Sequence, residues 1–284
     1  MRKIFTLIIL FISCLSNSQN FSSLEQAKNE AITKNKLILI QYYSDYGYKP
    51  LKRLNDECWN DNEINELTSQ YVVLRIQVYP KPIVVQGRES ITYEPNNEYI
   101  SIADANGKKL SSLDFNTNAT SVNRMLKKFL FPTEYLSKEL TAYHRTKNFN
   151  TAMMVSERYF DFSLLVSNDV KSDVLNVGSD YLAEAKQLLS GKDVGYIHKK
   201  QKFDLMKIAK LAYLFDFEKL DAKLSKFEED KLSEENRKYF IFLKYISAKA
   251  LNKKDFLPLE EKVNKMNGFE VYISKANLIL SKQY

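Results

Sequence analysis

Cysteine is almost absent from the sequence: Cys14 and Cys58 are the only two among 284 residues. Cys14 lies in an N-terminal apolar segment, so the chain beyond that segment holds one thiol and cannot close an internal disulfide. Histidine is as scarce, and His144 and His198 lie far apart. No Cys/His cluster has the spacing of zinc ligands, so the sequence predicts no metal site.

Glycine and proline are also rare, with seven and six residues. This scarcity excludes a loop-rich all-β protein and long flexible linkers. Nucleotide-binding P-loops, nucleophile elbows and the His-Glu-x-x-His zinc motif are missing as well, and no cofactor is predicted. The hydrophobic fraction of 44% is ample for packed cores, and the overall composition favours helix.

The charge balance is basic but dispersed. The formal net charge is +7, and removal of Arg2 and Lys3 with a leader would lower it by two. The remaining lysine pairs are scattered among acidic residues, whereas nucleic-acid binding requires a concentrated basic face with interleaved aromatics. The charges therefore indicate solvated helix faces, and no nucleic-acid partner is predicted.

Residues 1–19 have the pattern of a secretory signal peptide. A cationic start (Met1-Arg2-Lys3) precedes an apolar run from Ile4 to Cys14, and the small and polar residues 16–19 follow. That order is typical of an exported protein of the periplasm or the extracellular space. The alternative is a lipoprotein anchored through Cys14, because residues 11–14 loosely resemble a lipobox. No later run approaches about 18 apolar residues, so no membrane span is predicted.

The first half of the remaining chain alternates between helical and strand patterns. Ser22 and Glu25 have the spacing of a capping box for a helix that reaches Lys34. Buried strands are predicted at residues 37–43, 71–78 and 99–103, and an edge strand at 109–115. Helices are predicted at 50–69, with a break near 59–61, and at 119–130. This order predicts a small α/β sandwich.

The second half, residues 132–284, shows no strand pattern and is predicted to be all-helical. Apolar residues have helical spacing at 152–162, 182–189, 205–217 and 239–251. Four dipeptides pair an Asn or Asp with an aromatic at intervals typical of helix-pair repeats: Asn148-Phe149, Asp180-Tyr181, Asp216-Phe217 and Asp255-Phe256. The alternatives are a repeat-like array, in which each dipeptide begins a helix, and an irregular helical bundle.

The first half resembles the exported members of the thioredoxin-like family. The matching motifs, in order, are Leu24-Glu25-Gln26-Ala27, Lys36-Leu37-Ile38-Leu39-Ile40, Ser44-Asp45-Tyr46, Asn60-Asp61-Asn62-Glu63-Ile64, Tyr71-Val72-Val73-Leu74-Arg75-Ile76 and Asp104-Ala105-Asn106-Gly107-Lys108. The resemblance covers less than half of the chain and rests on the order and spacing of these motifs. It implies a thioredoxin-like domain over residues 20–131, followed by the all-helical domain.

The redox motif of that family is missing. In the family a Trp-Cys-x-x-Cys motif follows the first core strand; here Tyr46 stands in place of the Trp, and Gly47 and Pro50 replace the two cysteines. The family also has a cis-proline just before the third strand, where this sequence has Asn97-Glu98. Dithiol exchange needs a reactive thiolate and a resolving thiol, so the resemblance implies a protein without that activity.

Candidate binding residues surround the former redox position. The tyrosines of this segment offer contact area with a polar tip, although Tyr42 and Tyr43 also fit strand packing. The candidate binding residues are Tyr46, Gly47, Tyr48, Pro50 and Glu98. The long connection at 79–97 is interpreted as a surface loop or as a short hairpin of 83–85 with 90–92, and less readily as a partner-contacting loop.

Two functions follow as expectations. The first is a non-catalytic exported protein that binds or assembles with another envelope or secreted protein. The second is a thiol-disulfide redox protein that uses Cys58, which would have to be accessible and reactive. As the structural alternative, Cys58 is a small, partly buried hydrophobe.

Overall fold

The structure is a computed structural model that describes residues 21, 23–44, 49–85, 88–93, 98–254 and 256–283. The described residues belong to two compact units, divided between Ser137 and Lys138. The first unit combines a small mixed sheet with helices. In its described part, the second unit contains helices and no strand.

The elements of the first unit alternate along the chain. They are α1 (Leu24–Lys34), β1 (Ile38–Tyr43), α2 (Lys49–Trp59), α3 (Asn62–Thr68), β2 (Val72–Gln77), β3 (Pro80–Val85), β4 (Arg88–Tyr93), β5 (Glu98–Ala103), β6 (Lys109–Asp114) and α4 (Ala119–Lys128). Helix α5 (Glu134–Arg145) follows, and the division between the units falls within it.

The main sheet has four strands in the order β2-β1-β5-β6. Strands β1 and β2 are parallel, with Ile38 opposite Val72, and β5 is antiparallel to β1 and to β6. Phe21 adds an isolated parallel bridge to Leu74 at the outer side of β2. The predicted order of strand, helix, strand, hairpin and helix is confirmed.

Strand β1 is one of the two interior strands of the sheet, and its first five residues, 38–42, are buried. The continuous apolar run predicted a strand covered on both faces, and the burial confirms it. The predicted capping box of α1 is wrong. The helix begins at Leu24, so its N-cap is Ser23, whose side chain makes no capping hydrogen bond; Ser22 lies outside the described residues.

The predicted break in the second helix is confirmed, because α2 ends at Trp59 and α3 begins at Asn62. Asp61 starts the second segment: its Oδ1 accepts a hydrogen bond from the backbone N–H of Ile64 at 3.0 Å.

The β5–β6 turn is fixed by Asp104. Its Oδ1 accepts hydrogen bonds from the backbone N–H groups of Asn106 and Lys108, each at 2.9 Å. Gly107 has φ +84°, where a side chain would be strained. The predicted hairpin turn is thereby confirmed.

The long connection at 79–97 contains an antiparallel hairpin. Strands β3 and β4 pair with each other and form a separate two-stranded sheet. Of the interpretations that the sequence allowed, the short hairpin is the one observed, and its strands are longer than predicted.

The second unit contains α6 (Phe149–Phe162), α7 (Asn168–Leu188), α8 (Tyr196–Tyr213), α9 (Phe217–Leu224), α10 (Glu234–Ala250), α11 (Phe256–Asn264) and α12 (Glu270–Ser281). A short 3₁₀ turn, Glu229–Lys231, precedes α10. Helix α6 packs against α7 and α8, α8 against α9 and α10, and α10 against α11 and α12. Helices α6, α8, α10 and α12 therefore form one row in which each helix contacts the next.

The aromatic dipeptides do not mark equivalent positions in this array. Asn148 caps α6 in a capping box with Thr151, and Asp216 caps α9. Asp180, in contrast, lies inside the 21-residue helix α7, so the prediction that it opens a helix is wrong. Asp255 lies outside the described residues.

A glycine brings α6 and α7 into close contact. A Cβ atom added at Gly178 would lie 2.8 Å from the ring of Phe160, too close for van der Waals packing. Tyr181, one turn further along α7, stacks on Tyr159 with the ring centroids 5.8 Å apart. These aromatic contacts form part of the buried core between α6 and α7.

Candidate functional site

The end of β1 is the position of the predicted binding loop. The strand ends at Tyr43, and α2 begins at Lys49. Tyr46, Gly47 and Tyr48 lie in the segment 45–48, outside the described residues. Pro50 is the second residue of α2, where proline is tolerated because the first-turn N–H groups have no helical acceptor.

Glu98, the fifth predicted binding residue, lies at the same edge of the sheet. Gln41 of β1 is opposite Ile100 of β5, Glu98 is the first residue of β5, and its carboxylate is close enough to Tyr42 to raise the pKa of that phenol. Glu98 also forms an ion pair with Lys109 of β6. The structure therefore places Glu98 near Tyr42, in the last part of β1.

The two strand tyrosines differ in their surroundings. Tyr42 is buried, and this burial, more than the nearby Glu98 carboxylate, raises the pKa of its phenol despite a hydrogen bond with Ser101. Tyr43 is half-buried, and the guanidinium of Arg75 lies 5.0 Å from its ring centroid. Both fit the strand-packing interpretation.

Cys58 belongs to the apolar stripe of α2. Leu51, Leu54 and Cys58 recur at helical spacing, and each is 0% exposed. The thiol forms no disulfide. It lies eight residues along the helix from Pro50, or about 12 Å at the helical rise per residue. Cys58 is thus separate from the loop position that the resemblance assigned to the redox motif.

The chemistry of Cys58 follows from its burial. Desolvation raises the pKa of the thiol; a hydrogen bond with Tyr99 partly opposes this effect, and the nearby carboxylates of Glu57 and Asp61 add to it. Burial likewise raises the pKa of the Tyr99 phenol, with a further contribution from Cys58. A protonated, inaccessible thiol is a poor nucleophile.

A neutral polar network lies beside Cys58. The amide of Gln41 donates to Asn55 Oδ1 at 2.9 Å, and the Tyr99 hydroxyl donates to the same oxygen at 3.3 Å. Gln41 and Tyr99 are both buried. Sequence reasoning missed this network, although a glutamine within the apolar run of β1 was a usable signal, since buried polar groups require partners.

A polar cleft of about 350 Å³ opens over this network. Amide side chains dominate its lining, together with one carboxylate, one guanidinium and the only tryptophan. The lining residues are Gln41, Asn55, Asp56, Trp59, Asn60, Asn65, Thr68, Val73 and Arg75. These groups can donate and accept hydrogen bonds, but none is a thiol or an imidazole suited to nucleophilic or general-base chemistry at neutral pH.

The second unit contains an ionic cluster that sequence reasoning also missed. Lys275 Nζ of α12 lies 2.9 Å from Glu157 Oε1 and 2.9 Å from Asp161 Oδ1, both on α6. The Tyr213 hydroxyl donates to Asp161 Oδ1 at 2.5 Å. The lysine side chain is only 14% exposed, and the Tyr213 and Phe242 ring centroids lie within about 6 Å of Nζ.

Charge pairing determines the protonation of this cluster. Burial opposes the charge of Lys275, but Glu157 and Asp161 outweigh it and raise the pKa of the ammonium. For Glu157, burial is likewise outweighed by Lys275, and the pKa is lowered. For Asp161, burial prevails and raises the pKa. Lys275 is therefore a permanent cation and not an amine nucleophile.

Among the described residues, no group of three or more His, Cys, Asp and Glu side chains is arranged to hold a metal ion. In the same part of the chain, no helix combines the length and apolar character needed to cross a bilayer. Comparison of the sequence with protein families and with curated proteins finds no match.

Proposed function

We propose that this chain is an exported, non-catalytic protein with a thioredoxin-like domain, which acts in protein binding or assembly in the cell envelope. The order of elements in the first unit supports the thioredoxin-like interpretation. Two parallel strands are connected through helices, and an antiparallel hairpin and a helix follow.

The observation that carries the proposal is the burial of Cys58. Dithiol exchange requires a thiolate that attacks and a second thiol that releases the mixed disulfide. Gly47 and Pro50 occupy both family positions, and the cysteine outside the leader is 0% exposed. Disulfide exchange therefore lacks both the attacking and the resolving thiol that it requires.

The alternative, a redox protein acting through Cys58, is less well supported. It needs an accessible thiol of low pKa, whereas burial raises the pKa of Cys58. The buried apolar face of α2 would have to become exposed before Cys58 could react.

The proposed contact surface consists of Tyr46, Gly47, Tyr48, Pro50 and Glu98. Glu98 lies beside the end of β1, and the loop connects that strand to α2. Tyrosines are favoured in protein interfaces because they bury much area with little loss of side-chain entropy. The expected partner is another envelope or secreted protein.

The helical unit would supply a second interaction surface as a repeat-like array. The packing of α6, α8 and α10 in one row, each with an intervening helix, supports this interpretation. The unequal positions of the aromatic dipeptides show that they do not define the repeat.

Export rests on the leader pattern of residues 1–19. We propose cleavage near Ser18 or Gln19, which gives a periplasmic or secreted protein; lipidation at Cys14 would instead give an anchored one. Mass spectrometry of the processed N-terminus distinguishes the two products.

Partner capture tests the proposal. The protein would be tagged, crosslinked in its native host and purified, and the Tyr46→Ala/Tyr48→Ala double variant would be compared with Tyr135→Ala, which removes an exposed tyrosine of α5. We expect the loop variant to lose a specific protein partner, with affinity lowered about tenfold or more. A partner retained equally by both variants would contradict the proposed contact surface.

A further inference from the structure

The hairpin of β3 and β4 is an incomplete sheet. Its six residue pairs run from Pro80 opposite Tyr93 to Val85 opposite Arg88. An isolated two-stranded hairpin is marginally stable in water, and three or more strands are usually needed. The hairpin would therefore gain stability from a further strand.

The outer edge of β3 is blocked by proline. Val85 and Arg88 are paired with two residues between them, which makes them a hydrogen-bonded pair. Since orientation alternates along a strand, residues 81, 83 and 85 direct their backbone groups to β4. Pro80, Pro82 and Val84 direct theirs outward, and two of these three residues have no N–H to donate.

The outer edge of β4 has the opposite character. By the same alternation, Glu89, Ile91 and Tyr93 direct their N–H and C=O groups away from β3. Within the part of the chain that the structure describes, no strand pairs with this edge. The outer edge of β3 is thus closed to strand pairing, whereas the outer edge of β4 has all its backbone donors and acceptors.

We propose that β4 pairs with β4 of a second copy of this chain, antiparallel about a two-fold axis at Ile91. The product is a four-stranded sheet in the order β3-β4-β4-β3. Both of its outer edges are the proline-blocked edges of β3, so association stops at the dimer. Pairing with an unrelated strand would leave a new open edge, which is why a second copy is the occupant that the edges favour.

The register is self-complementary. With Ile91 opposite itself, Glu89 is opposite the second copy's Tyr93, and Ser90 is opposite its Thr92. All three outward-directed residues then take part in hydrogen-bonded pairs, and no like charges are opposite each other. The dimer proposal does not rest on the proposed binding partner.

Sedimentation velocity of the processed chain over a range of concentrations tests the dimer. Ile91→Pro removes an outward N–H from each copy, and the two central hydrogen bonds are lost, so we expect the dissociation constant to rise about tenfold to a hundredfold. Val84→Pro is the matched control, because it adds a proline to the edge that is already blocked. We expect no change in its dissociation constant.

Cysteine crosslinking checks the register. Ser90 and Thr92 of opposite copies form a non-hydrogen-bonded pair with Cα atoms about 4.5 Å apart, within reach of a disulfide. A mixture of Ser90→Cys and Thr92→Cys chains should crosslink faster than either variant alone. A wild-type chain that stays monomeric, a dimer that Ile91→Pro and Val84→Pro affect equally, or crosslinking without preference for the mixture would each overturn the proposal.

Discussion

The two units bury polar groups in opposite ways. The α/β unit uses neutral groups: the Gln41 amide and the Tyr99 phenol donate to Asn55, and the Cys58 thiol contacts the same phenol. The helical unit uses full charges: Lys275 lies between Glu157 and Asp161. The neutral network links residues that are at most about 60 positions apart, whereas Lys275 and Glu157 are separated by 118 positions.

The comparison concerns two buried groups that could otherwise act as nucleophiles. In the α/β unit burial keeps Cys58 protonated, and in the helical unit two carboxylates keep Lys275 charged. Neither the thiol nor the amine is therefore available as a nucleophile. The proposed interactions lie instead at the five proposed binding residues and at the outer backbone edge of β4.

The charged cluster gives the largest expected effect. Lys275→Met leaves Glu157 and Asp161 without their cation, and we expect a loss of about 2–3 kcal/mol in unfolding free energy, reduced from the fully buried case because Glu157 is 34% exposed. Circular dichroism in urea reports the helices, while fluorescence of Trp59, the only tryptophan, reports the α/β unit.

Lys207→Met on the exposed face of α8 is the matched control, with a change below about 0.5 kcal/mol. Equal losses in the two variants would remove the distinction between the charged cluster and ordinary surface lysines. A matching shift in Trp59 fluorescence would show that the two units do not unfold independently.

The neutral network gives a smaller effect. Asn55→Ala leaves the buried Gln41 amide and Tyr99 hydroxyl without their acceptor, and we expect a loss of about 1–2 kcal/mol, visible in Trp59 fluorescence. Asn60→Ala changes an exposed amide of the same cleft and should cost less than about 0.5 kcal/mol. If both variants lose the same stability, the hydrogen bonds of Asn55 do not hold the network together.

Helix capping gives the smallest effect and separates the two dipeptides that looked equivalent in the sequence. Asn148→Ala removes the capping box of α6 and should cost about 1 kcal/mol. Asp180→Ala lies on the exposed side of α7, within the helix, and should be neutral. Thermal unfolding followed by circular dichroism compares the stability of the two variants. A similar loss of stability in both would indicate that Asn148 and Asp180 have equivalent roles, as a repeat requires.

The fold was predictable where the signal was local. The apolar run of β1, the break at residues 59–61 and the turn at Asp104 each depend on neighbours in the sequence. Local patterns misplaced the cap of α1 by one residue and assigned a cap to Asp180, because polar residues also occur inside helices when they face solvent.

The interior polar groups were not predictable, because their partners are distant in the chain. Gln41 showed only that a polar residue interrupts β1, and nothing local pointed to Asn55 or Tyr99. Lys275 resembled any other lysine of an amphipathic helix until the fold brought α6 and α12 together. The burial of Cys58 was foreseen as the structural alternative.

The central claim is that Cys58 is not a reactive thiol in the folded protein. The alkylation rate of Cys58 at pH 8, measured with an insulin-reduction assay on the same sample, tests this claim most directly. We predict no insulin reduction. We also predict that Cys58 in the native protein is alkylated about a hundredfold or more slowly than in urea, and that fast alkylation begins only where Trp59 fluorescence reports unfolding. Native alkylation as fast as in the unfolded chain, together with insulin reduction that Cys58→Ser abolishes, would contradict the account and establish the redox alternative.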